Sequence, residues 1–253
     1  MTMSPRALGQ DLLNAKLATA PRRNMMLRRF SVSTLNPDGN ERIAEYMAPA
    51  TPEFENAFNA FARGTVLATT QGPCAIEDLR PGMQLLTAEN GAQTVTWIGS
   101  ITLVPNFAGS TPEQTRMTRV TADRFGPAQP AASLMVGPGA RLLHQPDVLR
   151  GETVRGQAYT PFAEFIDDES VIPVTPPAPV QMFHVCTEQH STIYADGVAV
   201  ETFHPGYHLQ DSMGPNKLAL FLSLFPQVKE LSDFGLLAHP RMSLRALTSL
   251  DAA

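Results

Sequence analysis

The stretch "FARGTVLATTQGPCAIEDLRPGMQLLTAENGAQTVTWIG", residues 61–99, is a series of short apolar runs cut by turn residues. "TVLAT" and "CAIEDL" flank the turn "TQGP", "RPGM" leads into "QLLTAEN", and Asn90-Gly91 joins that run to "AQTVTWIG". Asn-Gly between apolar runs is a strong hairpin signal, because the favoured two-residue turn needs positive φ at its centre. Residues 61–99 therefore read as consecutive antiparallel strands, with Thr69 expected opposite Cys74 across the first hairpin.

The same punctuation continues outward on both sides. "RRFSVSTLNPDGNERIAEYMAP" predicts two strands about an Asp-Gly turn, a small β arm. "TPEFENAFNAF" predicts a short helix, with Thr51 as N-cap, Pro52 at its first position, and Phe54, Ala57, Phe58 and Phe61 on one face. Downstream, "TRMTRVTA", "ASLMVGPGARLLH" and "VIPVTPPAPVQMFHVCTEQHSTIYADGVAVETF" supply further short strands. "GPNKLALFLSLFPQV" then predicts a helix opened by Pro215 and ended by Pro226, with Leu218, Phe221, Leu222 and Phe225 as its stripe, and "SLRALTSL" a second.

An all-β fold follows, with 22 prolines and 17 glycines spread among short apolar runs of a 253-residue chain, 43% of it hydrophobic. The expected division is a basic, disordered leader over 1–29, the β arm and short helix over 30–57, a β domain over 58–206, and a helical extension over 207–253. Residues 1–29 hold six basic residues against Asp11, a net +5, which leaves −10 for the rest of a chain whose total is −5. An acidic body argues against nucleic acid, since phosphate contact needs a basic face. The leader reads as a disordered extension, a start placed upstream of Met25 or Met26, or a targeting segment. No apolar run reaches the length of a membrane span, and no secretory signal is evident, so the expected location is cytoplasmic. Cys74 and Cys186 are too few for a disulfide framework and form no CxxC pair, and no cofactor or metal is expected.

"FARGTVLATTQGPCAIEDLRPGMQLLTAENGAQTVTWIG", "LMVGPGARLL" and "MFHVCTEQHSTIYADGVAVETF" together resemble the Hint family, the hedgehog and intein autoprocessing domains, and most closely the bacterial Hint-domain proteins. The resemblance covers about residues 58–206 and implies a curved β-fold. It also implies a chemistry: a cysteine or serine four residues before the Gly-Thr pair attacks the preceding carbonyl to form a thioester or ester. Gly64-Thr65 puts that position at Ala60, whose methyl group cannot attack. A Thr-x-x-His or Ser-x-x-His element in the family polarises the carbonyl and protonates the leaving nitrogen. The matching residues here are Gly137-Pro138-Gly139-Ala140, so Gly137 replaces the hydroxyl and Ala140 the histidine.

Inteins also end on a His-Asn pair whose asparagine cyclises, whereas this chain reads Val200-Glu201-Thr202-Phe203 and continues beyond. Splicing is thereby excluded, and loss of nucleophile and acid together removes the covalent route itself. The resemblance thus implies a degenerate Hint protein that binds an unidentified protein partner or serves a structural role. The rival is an active self-cleaving domain using displaced residues, namely Thr65, His184, Cys186 and His190, in which His184 stands near the place of a closing-block aspartate. Other residues read as structural. His204 and His208 are separated by Pro205-Gly206, against a metal-binding helix. His144 follows Ala140 by four residues, about 13 Å along a strand. Asp123, Arg124 and "EFIDDES" read as loop charges.

Overall fold

The computed structural model describes residues 26–105, 115–150 and 156–251. The expected leader lies outside them as far as residue 25. Its last residues do not belong to a leader, because the first strand, β1 (Leu27–Leu35), already includes Arg28 and Arg29. β1 turns at Asn36–Asn40 into β2 (Glu41–Pro49), with Gly39 at φ 80° and the Asn36 carboxamide oxygen accepting from the amides of Asp38 and Asn40. The arm is an integral part of the main sheet: Ser31 to Thr34 pair with Ser100 to Trp97.

The remaining strands are β3 (Phe61–Ala62), β4 (Val66–Thr69), β5 (Gly72–Ala75), β6 (Gln84–Thr87), β7 (Gly91–Leu103), β8 (Met117–Val120), β9 (Leu134–Val136), β10 (Arg141–His144), β11 (Ala158–Pro161), β12 (Val171–Val174), β13 (Val180–Thr187), β14 (Thr192–Ala195) and β15 (Val198–Glu201). They form one sheet in the order β11-β10-β15-β14-β4-β6-β7-β13-β3-β9-β8-β12, with β5 beside β4 and the arm beside β7. β7 is the 13-residue spine. Its first residues pair with β6 at the Asn90-Gly91 hairpin, and from Val95 onward it pairs with β13. The all-β fold expected from the sequence is the fold observed.

Two local expectations are corrected. Across the first hairpin Thr69 pairs with Gly72 and Cys74 with Leu67. The turn is tighter than expected because the Thr69 hydroxyl donates to the Gly72 carbonyl at 2.6 Å, and Gly72 accepts φ 105°. The helix expected over "TPEFENAFNAF" is only α1 (Pro52–Glu55), and Thr51 makes no side-chain cap. It stops early because Ala60 is claimed by the sheet, its amide donating to the Phe183 carbonyl at 3.0 Å. Phe54, Ala57, Phe58 and Phe61 are nonetheless all buried.

Two large apolar clusters sit against the sheet, and a small third joins Leu149, Ala158 and Leu247. One, around Leu67, Leu85, Val120, Phe183, Ile193 and Val200, fills the body. The other is aromatic: Phe30, Phe54, Phe58, Trp97, Phe221 and Phe225 join the arm, β7 and the C-terminal segment. Gly99 leaves room for the Trp97 ring, which would overlap any Cβ placed there. After β15 come α2 (Leu209–Ser212), α3 (Pro215–Ser223), a 3₁₀ turn at Leu231–Phe234, and α4 (Leu244–Asp251). Trp97 Nε1 donates to the Leu224 carbonyl at 2.8 Å, just past α3. Between the 3₁₀ turn and α4 an extended strap runs beside β11, the Tyr159 amide donating to Pro240 and the Met242 amide to Tyr159, each at 2.9 Å.

Candidate functional site

The three positions that the Hint resemblance singles out converge at the Asn59-Ala60 peptide. Phe61 pairs on one side with Phe183 of β13 and on the other with Val136 of β9. That register delivers the loop after β9 to the junction: the Gly137 amide donates to the Ala60 carbonyl at 2.9 Å, and the Ala140 amide to the Gly137 carbonyl at 3.2 Å. The Asn59 side-chain oxygen accepts from the Gly139 amide at 2.9 Å. Asn59, Ala60 and Ala140 are all buried.

The junction is filled by backbone. A Cβ on Gly137 would overlap the Asn59 carbonyl oxygen, and one on Gly139 the Asn56 carbonyl oxygen. The carbonyl that an attacking group would need to reach therefore lies against a Cα hydrogen. The two glycines here do not mark empty space. They are the residues that let two backbones touch.

Beyond this centre lies a buried polar cluster that sequence reasoning largely missed. Arg141, next to Ala140, places Nη1 3.4 Å from Glu201 Oε2. Arg241 of the strap reaches the same carboxylate with Nε, at 2.9 and 3.2 Å, and donates through Nη2 to the His204 carbonyl at 2.7 Å. His190 Nε2 stands 3.1 Å from Glu201 Oε1, poorly aligned as a hydrogen bond. Burial alone would raise the Glu201 carboxyl, but Arg241, His190 and Arg141 outweigh it and hold it far below the ordinary carboxylate range.

Neighbouring amides fix which ring nitrogen of each histidine accepts. The Ala238 amide donates to His190 Nδ1 at 3.0 Å, so the ring proton sits on Nε2, facing Glu201. The Gly206 amide donates to His204 Nδ1 at 2.9 Å, and Nε2 then donates to the Gly235 carbonyl at 3.2 Å. His184, between the rings of Phe61 and Phe203, accepts from the Val185 amide. Burial lowers His184 to about 3 and, aided by His190, lowers His204 to about 4.

A second chain of groups runs from β11 to the strap. The Thr192 hydroxyl donates to Glu89 Oε1 at 2.6 Å, so it accepts from Tyr159 Oη at 2.7 Å. Glu89 also accepts from the Thr192 amide at 2.8 Å and from His239 Nε2 at 2.9 Å. These bonds outweigh burial and keep Glu89 ionised.

The displaced candidates do not assemble into a nucleophile and base. Cys186 Sγ lies in the aromatic cluster 3.8 Å from the Phe203 carbonyl, and burial pushes the thiol well up. Cys186 and His190 line the same cavity of about 240 Å³, yet both ring nitrogens of His190 are turned to Ala238 and Glu201. Thr65 is buried in the turn from β3 to β4, bonded through its backbone to Ala62 and Ile76. His144 donates to the Thr160 hydroxyl, which donates to the Met242 carbonyl. Exposed His208 contacts Asp211, and Asp167 of "EFIDDES" accepts from the amides of Glu169, Ser170 and Val171. No group of three or more His, Cys, Asp or Glu that could hold a metal occurs among the described residues.

An antiparallel sheet thus brings the segment before a Gly-Thr turn against the loop after β9. Residues 59–207, more than half of the chain, match the Hint domain family, and the chain belongs to that family. It is also similar to the solution structure of a bacterial intein-like domain from Clostridium thermocellum, with 14% identity, 57% of this chain and 99% of that one covered, and a TM-score of 0.38. No curated protein matches the chain. Among the described residues no helix is long and apolar enough to cross a membrane.

Proposed function

We propose that this chain is a degenerate Hint protein that does not cleave itself and acts as a binding or structural module. The single observation that carries this reading is the Asn59-Ala60 junction, where Gly137 lies against the carbonyl that would be attacked and a methyl group stands in the nucleophile's place. Residues 58–206 form the Hint-like unit in this reading, and 207–253 an extension that closes on it. The raised thiol of Cys186 and the direction of the His190 nitrogens, toward Ala238 and Glu201 and not toward the thiol, weigh against chemistry by displaced residues. Two free cysteines favour a reducing, cytoplasmic setting, and the acidic body favours a partner other than nucleic acid.

Purified full-length protein incubated with excess thiol or hydroxylamine is expected to keep a single intact mass of 27.5 kDa. Fragments divided between Asn59 and Ala60, or a thiol adduct at Asn59, would overturn the reading.

A further inference from the structure

A cavity of about 590 Å³ lies away from the degenerate centre. It opens where the strap crosses the body: Glu89 and Asn90 at one hairpin tip and Glu188 to His190 at the end of β13 form one wall, and Asp233 to Pro240 the other. Its volume falls within the range of small-ligand sites, which favour such boundaries. The strap wall is apolar, with Phe234, Leu237 and Leu236, the last 81% exposed and the most exposed large apolar residue described. Glu89 and Glu188 on the body wall and Asp233 at the start of the strap wall add three carboxylates, and neither lysine nor arginine lines the space. Glu89 is locked by His239 and Thr192, and Asp233 by the amides of Lys229 and Glu230, so two carboxylates are held in place before anything binds. Glu188 is exposed and its side chain makes none of these internal bonds.

An anion would meet repulsion here. A neutral apolar body would leave Glu188 without a partner, whereas Glu89 is already met by His239. We propose that this cavity binds a small organic amine with an apolar body, its ammonium directed to the carboxylates and its hydrocarbon to Phe234, Leu236 and Leu237. The inference rests on the reading of this chain as a binding module and names the ligand class.

The probe is phenethylamine, titrated calorimetrically into the full chain beside 2-phenylethanol and phenylacetate, which share its ring. The amine is expected to bind at least about tenfold more tightly than either, and Glu188→Gln to weaken it about threefold or more while leaving 2-phenylethanol unchanged. Equal affinity for amine and alcohol, no binding of amine up to about 10 mM, or full affinity in Glu188→Gln would overturn the proposal. Failure here is distinct from failure of the non-cleaving reading, because the intact mass reports cleavage whether or not an amine binds.

Discussion

At Gly137 two backbones meet so closely that a side chain would not fit. Gly137→Ala would force its methyl group into the Asn59 carbonyl, and we expect a loss of about 1–3 kcal/mol in a urea titration, whereas Ala140→Gly should cost less. Equal stability of Gly137→Ala and the parent would show that the contact yields. Restoring threonine at 137 is therefore no simple repair. The letters show what is absent, but not that backbone has moved into the space. The buried histidines give a second test at this scale. Unfolded histidines take up a proton near pH 6.5, whereas folded His184 and His204 resist it until about 3 and about 4. The unfolded chain binds more protons in between, so stability is present above about pH 6.5 and falls as pH drops toward 4. The urea midpoint should decline across that window, and His184→Phe should shallow the decline. A midpoint flat from pH 7 to 4 would contradict it.

At the scale of elements, the strap is the part least legible beforehand. Turn chemistry gave β1–β2 and β6–β7 directly, since Asp-Gly and Asn-Gly demand particular turns wherever they fall. Arg241 pairing with Glu201 spans forty residues and carries no local signal. Glu201 follows Val200 in a strand whose two faces are both covered, so alternation alone would have placed it in water. Proline and a helical stripe did locate α3, yet Leu224 and Phe225 of the aromatic cluster lie past its end. Removing one member of a buried pair strands the other, so Arg241→Ala should cost about 3–5 kcal/mol and Glu201→Gln a similar amount. In the double-mutant cycle the combined loss should fall short of the sum by at least about 1 kcal/mol. Strict additivity would mean that the strap is held by its backbone bonds to Tyr159 and not by this charge.

For the whole molecule, the order of strands matters more than any one residue. The ladder from β13 through β3 to β9 carries Ala60, Gly137 and Ala140 to one place, as the resemblance implied from sequence, while the aromatic cluster ties arm, body and extension together. In the proposed reading the pocket itself, and not only its reactive atoms, has been lost. That loss is tested most directly by the intact mass of Ala60→Cys/Ala140→His, which returns nucleophile and acid and leaves Gly137 untouched, in excess thiol near neutral pH. A folded variant with one full-length mass is the result predicted. Thiol-dependent fragments divided between residues 59 and 60 would show that the scaffold still presents a scissile bond and would contradict the account.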